Sequence, residues 1–257
     1  MSLSAVSGAI GRWYSIPLLL LVWHVAVVSG LTTSRLLPEP ASVLIAFYHD
    51  VANGTLIAQA AVTLARALSG FVLGSVAGIL LAVAMARVPL FSRLVEPLVF
   101  LGYPVPKIAL YPVFIFIFGI GSSSKIAFTF FEVLYPVTVT TYLGLSSVPT
   151  RLIWTAKNYG ASKLDIFWKV ILPSVLPHVF TGCRIALPLA ITIVVVTEMI
   201  GDSAGLGYYI TIWGTRFNYA NVYAGILMIG IIGFALDRLI VIARKHAVYW
   251  EKNNVRL

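Results

Sequence analysis

Charged side chains inside apolar stretches are the residues of this sequence best suited to contact a polar solute. Glu132, Glu198 and Lys107 each lie within or beside a long run of apolar residues. A charge at the centre of a bilayer costs about 2.5–3.5 kcal/mol on insertion scales, so such groups usually face a protein interior or a water-filled cavity. Two uses stay open, namely solute contact and a structural ion pair, in which Glu132 would pair with Arg66 or with Lys107.

Prolines interrupt the apolar segment that contains Lys107. Pro104, Pro106 and Pro112 fall within residues 98–120, and each proline frees a backbone carbonyl oxygen from its usual helical partner. Freed carbonyls at membrane depth are tolerated only beside protein or a water-filled cavity, so one interpretation of this segment is a pathway wall. The alternative is a helix kink with Lys107 reaching the cytoplasmic interface. The candidate pathway residues are Tyr103, Lys107, Tyr111, Glu132 and Glu198.

The sequence lacks the motifs of catalysis, metal binding and ATP hydrolysis. The segment most similar to a GxxxxGK[ST] phosphate loop runs from Gly119 to Ile126, and it lacks both the glycine before Lys125 and the hydroxyl residue after it. The four histidines show no metal-ligand spacing, and GxSxG is absent. The single cysteine, Cys183, is expected to be a packing residue. We therefore expect no catalytic residue, metal or cofactor on this chain.

The composition indicates a membrane protein. Of the 257 residues, 60% are hydrophobic and 11% are charged, with a mean hydropathy of +0.95, whereas soluble domains carry about 25% charged residues. This excludes a soluble globular enzyme and a disordered chain, and one cysteine excludes a disulfide scaffold. The net charge of +9 indicates cytoplasmic membrane loops and anionic headgroups. No basic patch with interleaved aromatic residues supports nucleic-acid binding.

Six apolar segments are candidates for membrane-spanning helices, which need about 20 mostly apolar residues. With the N-terminus in the cytoplasm, twelve Lys and Arg residues fall on the inner side and three on the outer side, so both termini are expected to be cytoplasmic. We expect residues 1–257 to form a single domain. The predicted spans are residues 13–30, 63–86, 98–120, 126–146, 179–200 and 222–243.

Small residues recur in the second predicted span. Gly70, Gly74 and Gly78 lie at four-residue steps, and this spacing lets helix backbones approach closely. The pattern predicts packing inside the protein, with a pore-lining or dimer surface as the alternative.

The loop between the fourth and fifth spans, about residues 149–177, contains the pattern of a short amphipathic helix. Gly160 precedes this helix, and Pro173 and Pro177 are expected to end it. One interpretation is a helix that rests on the headgroups, and the other is a docking helix for a soluble partner. The apolar residues at three- and four-residue steps are Leu164, Phe167, Trp168 and Ile171.

This loop resembles the cytoplasmic signature of permease subunits of binding-protein-dependent ABC importers. The signature runs Glu-Ala-Ala, three residues, Gly, nine residues, Ile, one residue, Leu-Pro. Here Trp154 and Thr155 stand in place of the Glu and the first Ala, and Val170 stands in place of the Ile, while the spacing is intact. The residues that carry the resemblance are Ala156, Gly160, Leu172, Pro173, Pro177, Gly182 and Arg184.

The resemblance extends along nearly the whole chain. The segments LLPEP at 36–40, GFVLGSVAGILLAV at 70–83, PVPKIALYPVFIFIFGIGSSSK at 104–125 and GLGYYI at 205–210 are similar to the branch that imports nitrate, taurine, aliphatic sulfonates and related small solutes. The family implies a type I ABC importer permease fold, with six transmembrane helices and a short cytoplasmic coupling helix, in the bacterial cytoplasmic membrane.

The resemblance also implies partners. Two copies of the permease line the pathway, two cytoplasmic ATPases that carry ATP and Mg bind below, and an extracytoplasmic binding protein delivers the solute. Gly160 would allow close backbone approach of the ATPase. The alternatives are an ion-coupled carrier or channel and an integral membrane enzyme, but we see neither inverted repeats nor a catalytic cluster. The predicted ATPase contacts are Asn158, Tyr159, Gly160, Ala161, Ser162, Lys163, Leu164, Asp165, Phe167 and Lys169.

Overall fold

The computed structural model describes residues 14–30, 36–102 and 104–250, and this part of the chain consists of helices joined by turns. It contains no β-strand within those ranges, which agrees with the predicted all-α class. In chain order the helices are α1 (Ser15–Val28), α2 (Pro40–Ala52), α3 (Thr55–Arg87), α4 (Pro89–Gly102), α5 (Tyr111–Phe118), α6 (Ser122–Ser146), α7 (Thr150–Asn158), α8 (Lys163–Ile166), α9 (Leu172–Met199), α10 (Leu206–Thr215) and α11 (Tyr219–Ala247). A 3₁₀ turn (Lys107–Leu110) precedes α5, and a π-helical turn (Phe167–Ile171) joins α8 to α9.

Four helical units are long and apolar enough to cross a membrane: α3, α6, α11 and the unit Lys163–Met199 that α8 and α9 form together. A fifth crossing is divided between α4 and the segment Lys107–Phe118, with a bend of 101° between them. Helix α1 has 14 residues, so it is about 21 Å long, shorter than a hydrocarbon core of about 30 Å. The helices thus coincide with the second to sixth predicted spans, and the third is broken as predicted.

Three prolines do not interrupt or end helices where the sequence predicted. Pro112 lies in the first turn of α5, where the missing N–H would have no helical partner in any case. Pro173 and Pro177 do not end the helix of the loop, because α9 continues through them to Met199. Pro173 lies two residues after the end of the π-helical turn at Ile171, and such local adjustments of the helix accommodate the carbonyl oxygens that a proline frees.

Helices α3 and α6 form the centre of the fold and approach closely along small residues. A Cβ atom added to Gly70 would lie 2.5 Å from Cβ of Thr129, and one added to Gly74 would lie 2.7 Å from the carbonyl oxygen of Phe130. Gly78 faces the same helix at a similar distance. The prediction that these three glycines serve packing inside the protein is confirmed.

Helix α9 packs between α6 and α11. Ala186 and Ala190 share a buried cluster with Val133 of α6, and Gly182 faces the same helix. On another side of α9, Ile191 belongs to a second cluster, to which partly buried residues of α11 contribute. The helix that follows the predicted cytoplasmic loop is therefore held by the protein core along most of its length.

The connection between α9 and α11 contains a partly buried helix, α10. Leu206 and Tyr209 of α10 pack with Leu56 at the start of α3. The Gly-Leu-Gly sequence at 205–207 forms the start of α10. Helix α2 begins with Pro40 in its first turn, a position where proline is common.

Replacing Gly74 by alanine tests the packing of α3 on α6. We expect Gly74→Ala to lower the free energy of unfolding by about 1–3 kcal/mol, because the new methyl group forces a backbone shift. The control is Gly230→Ala in α11, where an added Cβ meets no atom within 4 Å and helix propensity improves. Thermal unfolding in detergent measures both, and equal midpoints would contradict the close contact.

Candidate functional site

A cluster of four charged side chains lies at the end of α9, and we call Arg66, Lys125, Glu198 and Asp202 the Arg66 cluster. Nη1 of Arg66 lies 2.9 Å from Oε1 of Glu198 and 2.7 Å from Oδ2 of Asp202. Nζ of Lys125 lies 3.0 Å from the same oxygen of Asp202. All four side chains are buried, and their two positive and two negative charges balance.

Further hydrogen bonds connect Glu198 and Arg66 to their surroundings. The hydroxyl of Thr63 and the backbone N–H of Gly207 donate to Oε2 of Glu198, at 2.7 and 3.1 Å. Nε of Arg66 donates to Oγ of Ser122 at 3.0 Å. A buried ion pair is stable only when its other lone pairs and protons also have partners, and this cluster meets that condition.

The start of α10 is fixed to the Arg66 cluster through its backbone. The N–H of Gly205 donates to Oε1 of Gln59 at 2.6 Å, and the N–H of Leu206 donates to Oγ1 of Thr63 at 2.8 Å. These side chains satisfy N–H groups that a helix N-terminus leaves without partners. Gly205 has φ +109°, and a Cβ there would lie 2.2 Å from Cδ of Glu198, so only glycine fits.

The Asp202 carboxyl group stays ionised at neutral pH. Burial raises its pKa, but the hydrogen bond from the N–H of Ser203 and the bond and charge of Lys125 outweigh this effect, so the pKa lies below its ordinary value.

The sequence analysis singled out Glu198 and considered Arg66 as a partner of Glu132. It did not identify Lys125 as a member, and the only local signal was the position of Asp202 shortly after Glu198.

Glu132, the second acid in an apolar segment, pairs with Lys107 of the broken crossing that α4 and Lys107–Phe118 form. Nζ of Lys107 lies 3.7 Å from Oε1 of Glu132 and 4.9 Å from the centre of the Tyr135 ring. The predicted pair of Glu132 with Lys107 is therefore confirmed, and the alternative pair with Arg66 is wrong. Tyr111 is buried with its ring 5.4 Å from that of Phe128, so it packs in the core.

Among the other predicted pathway residues, Tyr103 lies outside the described residues. Glu198 is buried within the Arg66 cluster and does not reach an open surface. Lys107 is buried and Glu132 is partly buried. The lining of a solute pathway by these residues stays a prediction.

The predicted cytoplasmic loop forms two helical segments separated by a turn at Gly160. The N–H of Ala161 donates to the carbonyl of Ala156 at 3.0 Å, and Gly160 has φ +79°, which is a common way for a helix such as α7 to end. No atom lies within 4 Å of a Cβ built on Gly160. Within this chain the turn needs glycine for its backbone angle.

The segment after this turn, residues 158–169, is called the coupling segment below. Ser162 and Asp165 form a reciprocal capping box at the start of α8. Nζ of Lys169 lies 2.6 Å from Oδ1 of Asp165. The guanidinium group of Arg87, the last residue of α3, lies 5.6 Å from the centre of the Phe167 ring. The coupling segment is thus ordered locally and contacts the end of α3.

The sequence predicted that the apolar residues around the coupling segment share one face of a helix. In the structure they do not share one buried face. The side chains of Leu164 and Trp168 are 71% and 61% exposed, and Tyr159 is 87% exposed, while Ile166 is buried. Phe167 and Ile171 are partly buried. Large apolar side chains are therefore left open on the protein surface.

The other residues of the loop signature lie in α7 and α9. Nε of Arg184 lies 2.8 Å from Oδ1 of Asp237 in α11, a partner that the sequence did not predict.

Within residues 14–30, 36–102 and 104–250, no group of three or more His, Cys, Asp or Glu side chains is arranged to hold a metal ion.

Comparisons with known proteins agree on one family. The model of the family described as "Binding-protein-dependent transport system inner membrane component" matches residues 70–247. The chain is 34% identical to the formylaminopyrimidine transport permease protein ThiX of Halalkalibacterium halodurans, over 85% of this chain and 88% of that protein. It is 32% identical to the taurine transport system permease protein TauC of Escherichia coli, over 87% and 83%.

A solved structure shows the same fold. The chain is similar to a chain of the MetNI methionine ABC transporter in an inward-facing conformation, with a TM-score of 0.56, 23% identity and coverage of 70% of this chain and 91% of that chain.

A third relative by sequence is the putative aliphatic sulfonates transport permease protein SsuC of Bacillus subtilis, which is 28% identical over 90% of this chain and 84% of that protein.

Removing the charge of Glu198 tests the Arg66 cluster. We expect Glu198→Gln to lower the free energy of unfolding by about 3–5 kcal/mol, because two buried cations then face only Asp202. Glu39→Gln, at an exposed position before α2, is the matched control and should leave stability unchanged. Thermal unfolding in detergent compares the two, and a Glu198→Gln protein as stable as the control would contradict a structural role of the cluster.

Proposed function

Since the chain belongs to the family of inner membrane components of binding-protein-dependent transport systems, we propose that it is the transmembrane subunit of an ATP-driven importer. Hydrolysis of ATP takes place on a separate cytoplasmic ATPase, because the sequence has no phosphate-binding loop. Two copies of the chain line the pathway, and an extracytoplasmic binding protein delivers the solute. Both termini are cytoplasmic, so the coupling segment faces the cytoplasm and the Arg66 cluster faces the outside.

The observation that carries this proposal is the coupling segment. It leaves Tyr159, Leu164 and Trp168 open to solvent, and it runs directly into a helical unit that continues to Met199. A partner that binds these side chains moves the end of a membrane-spanning helix. Such a movement of a packed helix is one of the ways in which proteins transmit a change from one site to another. This arrangement supports the proposal that residues 158–169 contact the ATPase.

Helix α11 has an exposed apolar surface, which indicates that lipid or a further copy of the chain lies beside it. None of the residues in its most apolar 18-residue stretch is buried inside the chain. A helix of this kind needs lipid or another subunit as its neighbour. We propose that lipid covers part of this face and that a second copy of the same chain completes the assembly.

The solute is proposed to be a small anion or zwitterion, such as a sulfonate, taurine or nitrate. Relatives named for taurine and for aliphatic sulfonates support this class. A relative named for formylaminopyrimidine shows how widely the solutes of similar permeases differ. Titration calorimetry of the cognate binding protein with candidate solutes identifies the solute directly.

A charge placed on the coupling segment tests the docking of the ATPase. We expect Leu164→Glu to reduce the amount of ATPase that copurifies with the chain by about tenfold or more, because loss of a central apolar contact costs about 2 kcal/mol or more. The variant should insert and fold normally, since the side chain of Leu164 is exposed.

The matched control is Tyr48→Glu, which places the same charge on an exposed aromatic position of α2, on the opposite side of the membrane. This variant should retain the ATPase. Copurification of the ATPase with Leu164→Glu at the level of the control would rule out docking through the coupling segment.

A further inference from the structure

The ion pair between Arg184 and Asp237 differs from the other intramembrane pairs in being open to its surroundings. Nε and Nη2 of Arg184 donate to the two carboxylate oxygens of Asp237, at 2.8 and 3.3 Å. The side chains are 36% and 30% exposed, whereas the members of the Arg66 cluster are buried. Because two donors of the guanidinium are engaged with Asp237, its three other N–H groups are available for a further acceptor.

The pair lies inside two helical units that are long enough to span a membrane. Arg184 is 15 residues from the end of α9 at Met199, and Asp237 is 18 residues from the start of α11 at Tyr219. At 1.5 Å per residue the two side chains lie about 22 and 27 Å from these helix ends, which is less than the thickness of a hydrocarbon core of about 30 Å. In the proposed orientation this is the cytoplasmic half of the membrane.

Backbone polarity marks the same place on α9. Pro188 has no N–H, so the carbonyl oxygen of Arg184 lacks its usual helical donor four residues later. Thr181, Ile185 and Pro188 are exposed and lie on one side of the helix, at four- and three-residue steps. A charged pair in contact with lipid is costly, and a carbonyl freed by proline needs a new donor or a local adjustment of the helix. Both features favour a polar neighbour beside this side of α9, which we call the Arg184 face.

We propose that the Arg184 face lines the solute pathway and that the guanidinium of Arg184 contacts the anionic group of the solute as it passes. The anionic class rests on the proposed function, whereas the contact with water does not. Asp237 holds the guanidinium in place through a two-point contact and neutralises its charge. A neutralised site binds an oxyanion weakly enough to release it, as a conduction pathway requires.

Cysteine labelling in membranes tests whether the Arg184 face is wet. Thr181→Cys and Ile185→Cys are made in a Cys183→Ser background, so that each protein has one thiol. The control is Ile231→Cys, on the exposed apolar side of α11. Membranes are permeabilised so that reagents reach both sides, and a charged methanethiosulfonate forms a mixed disulfide with the thiolate and releases methanesulfinate.

We expect charged reagents to label residues 181 and 185 but not residue 231, because a thiol in lipid does not ionise. Failure of the charged reagents at 181 and 185 would show that lipid or a second copy covers this face and would overturn the proposal. This labelling needs neither the ATPase nor uptake, so its outcome is independent of the copurification test.

The charge of the reagent tests the contact with an anion. Sulfonatoethyl methanethiosulfonate carries a sulfonate group, and trimethylammonioethyl methanethiosulfonate carries a cation of similar size. At Ile185→Cys we expect the ratio of anionic to cationic labelling rates, relative to a free thiol, to fall by about threefold when Arg184→Gln is added. Adding Asp237→Asn instead should raise the ratio. A ratio that neither substitution changes would exclude the anion contact and leave only a wet surface, which contradicts the proposal.

Discussion

The buried ion pair between Arg66 and Glu198 fixes the end of the longest helical unit in the protein. That unit runs from Lys163 to Met199 and is about 55 Å long at 1.5 Å per residue. At one end it carries the exposed side chains of the coupling segment, and at the other it is joined through Glu198 to α3 and α10. This helical unit thus links the two groups of residues on which the proposed function depends, the coupling segment and the Arg66 cluster.

Two kinds of intramembrane charge follow from this arrangement. The Arg66 cluster is closed: its charges balance, its polar atoms are paired, and its side chains are buried, so it serves to hold helices together. The Arg184–Asp237 pair is open, with unused donors and partly exposed side chains. A closed cluster is poorly suited to contact a solute, because it would lose its compensation if a partner left, whereas the open pair has donors left for a further acceptor.

Local sequence was sufficient to predict the second to sixth spans and the packing of Gly70, Gly74 and Gly78, since both are properties of neighbouring residues. Long-range pairs were harder to predict. Arg66 and Glu198 are separated by 132 positions, and composition does not say which acid meets which base, so the sequence left two possible partners for Glu132 and gave none for Glu198. The course of the chain through Pro173 was missed because a proline usually ends a helix, whereas Pro173 lies in the first turn of α9, a position that tolerates proline.

The dependence of this chain on a separate motor can be measured as phosphate release from ATP and Mg by the purified protein in lipid vesicles, with and without the partner ATPase. We expect no release by the purified chain alone and steady release once the ATPase is added. ATP hydrolysis by the chain without any partner would contradict the assignment of the coupling segment as the contact of an external ATPase.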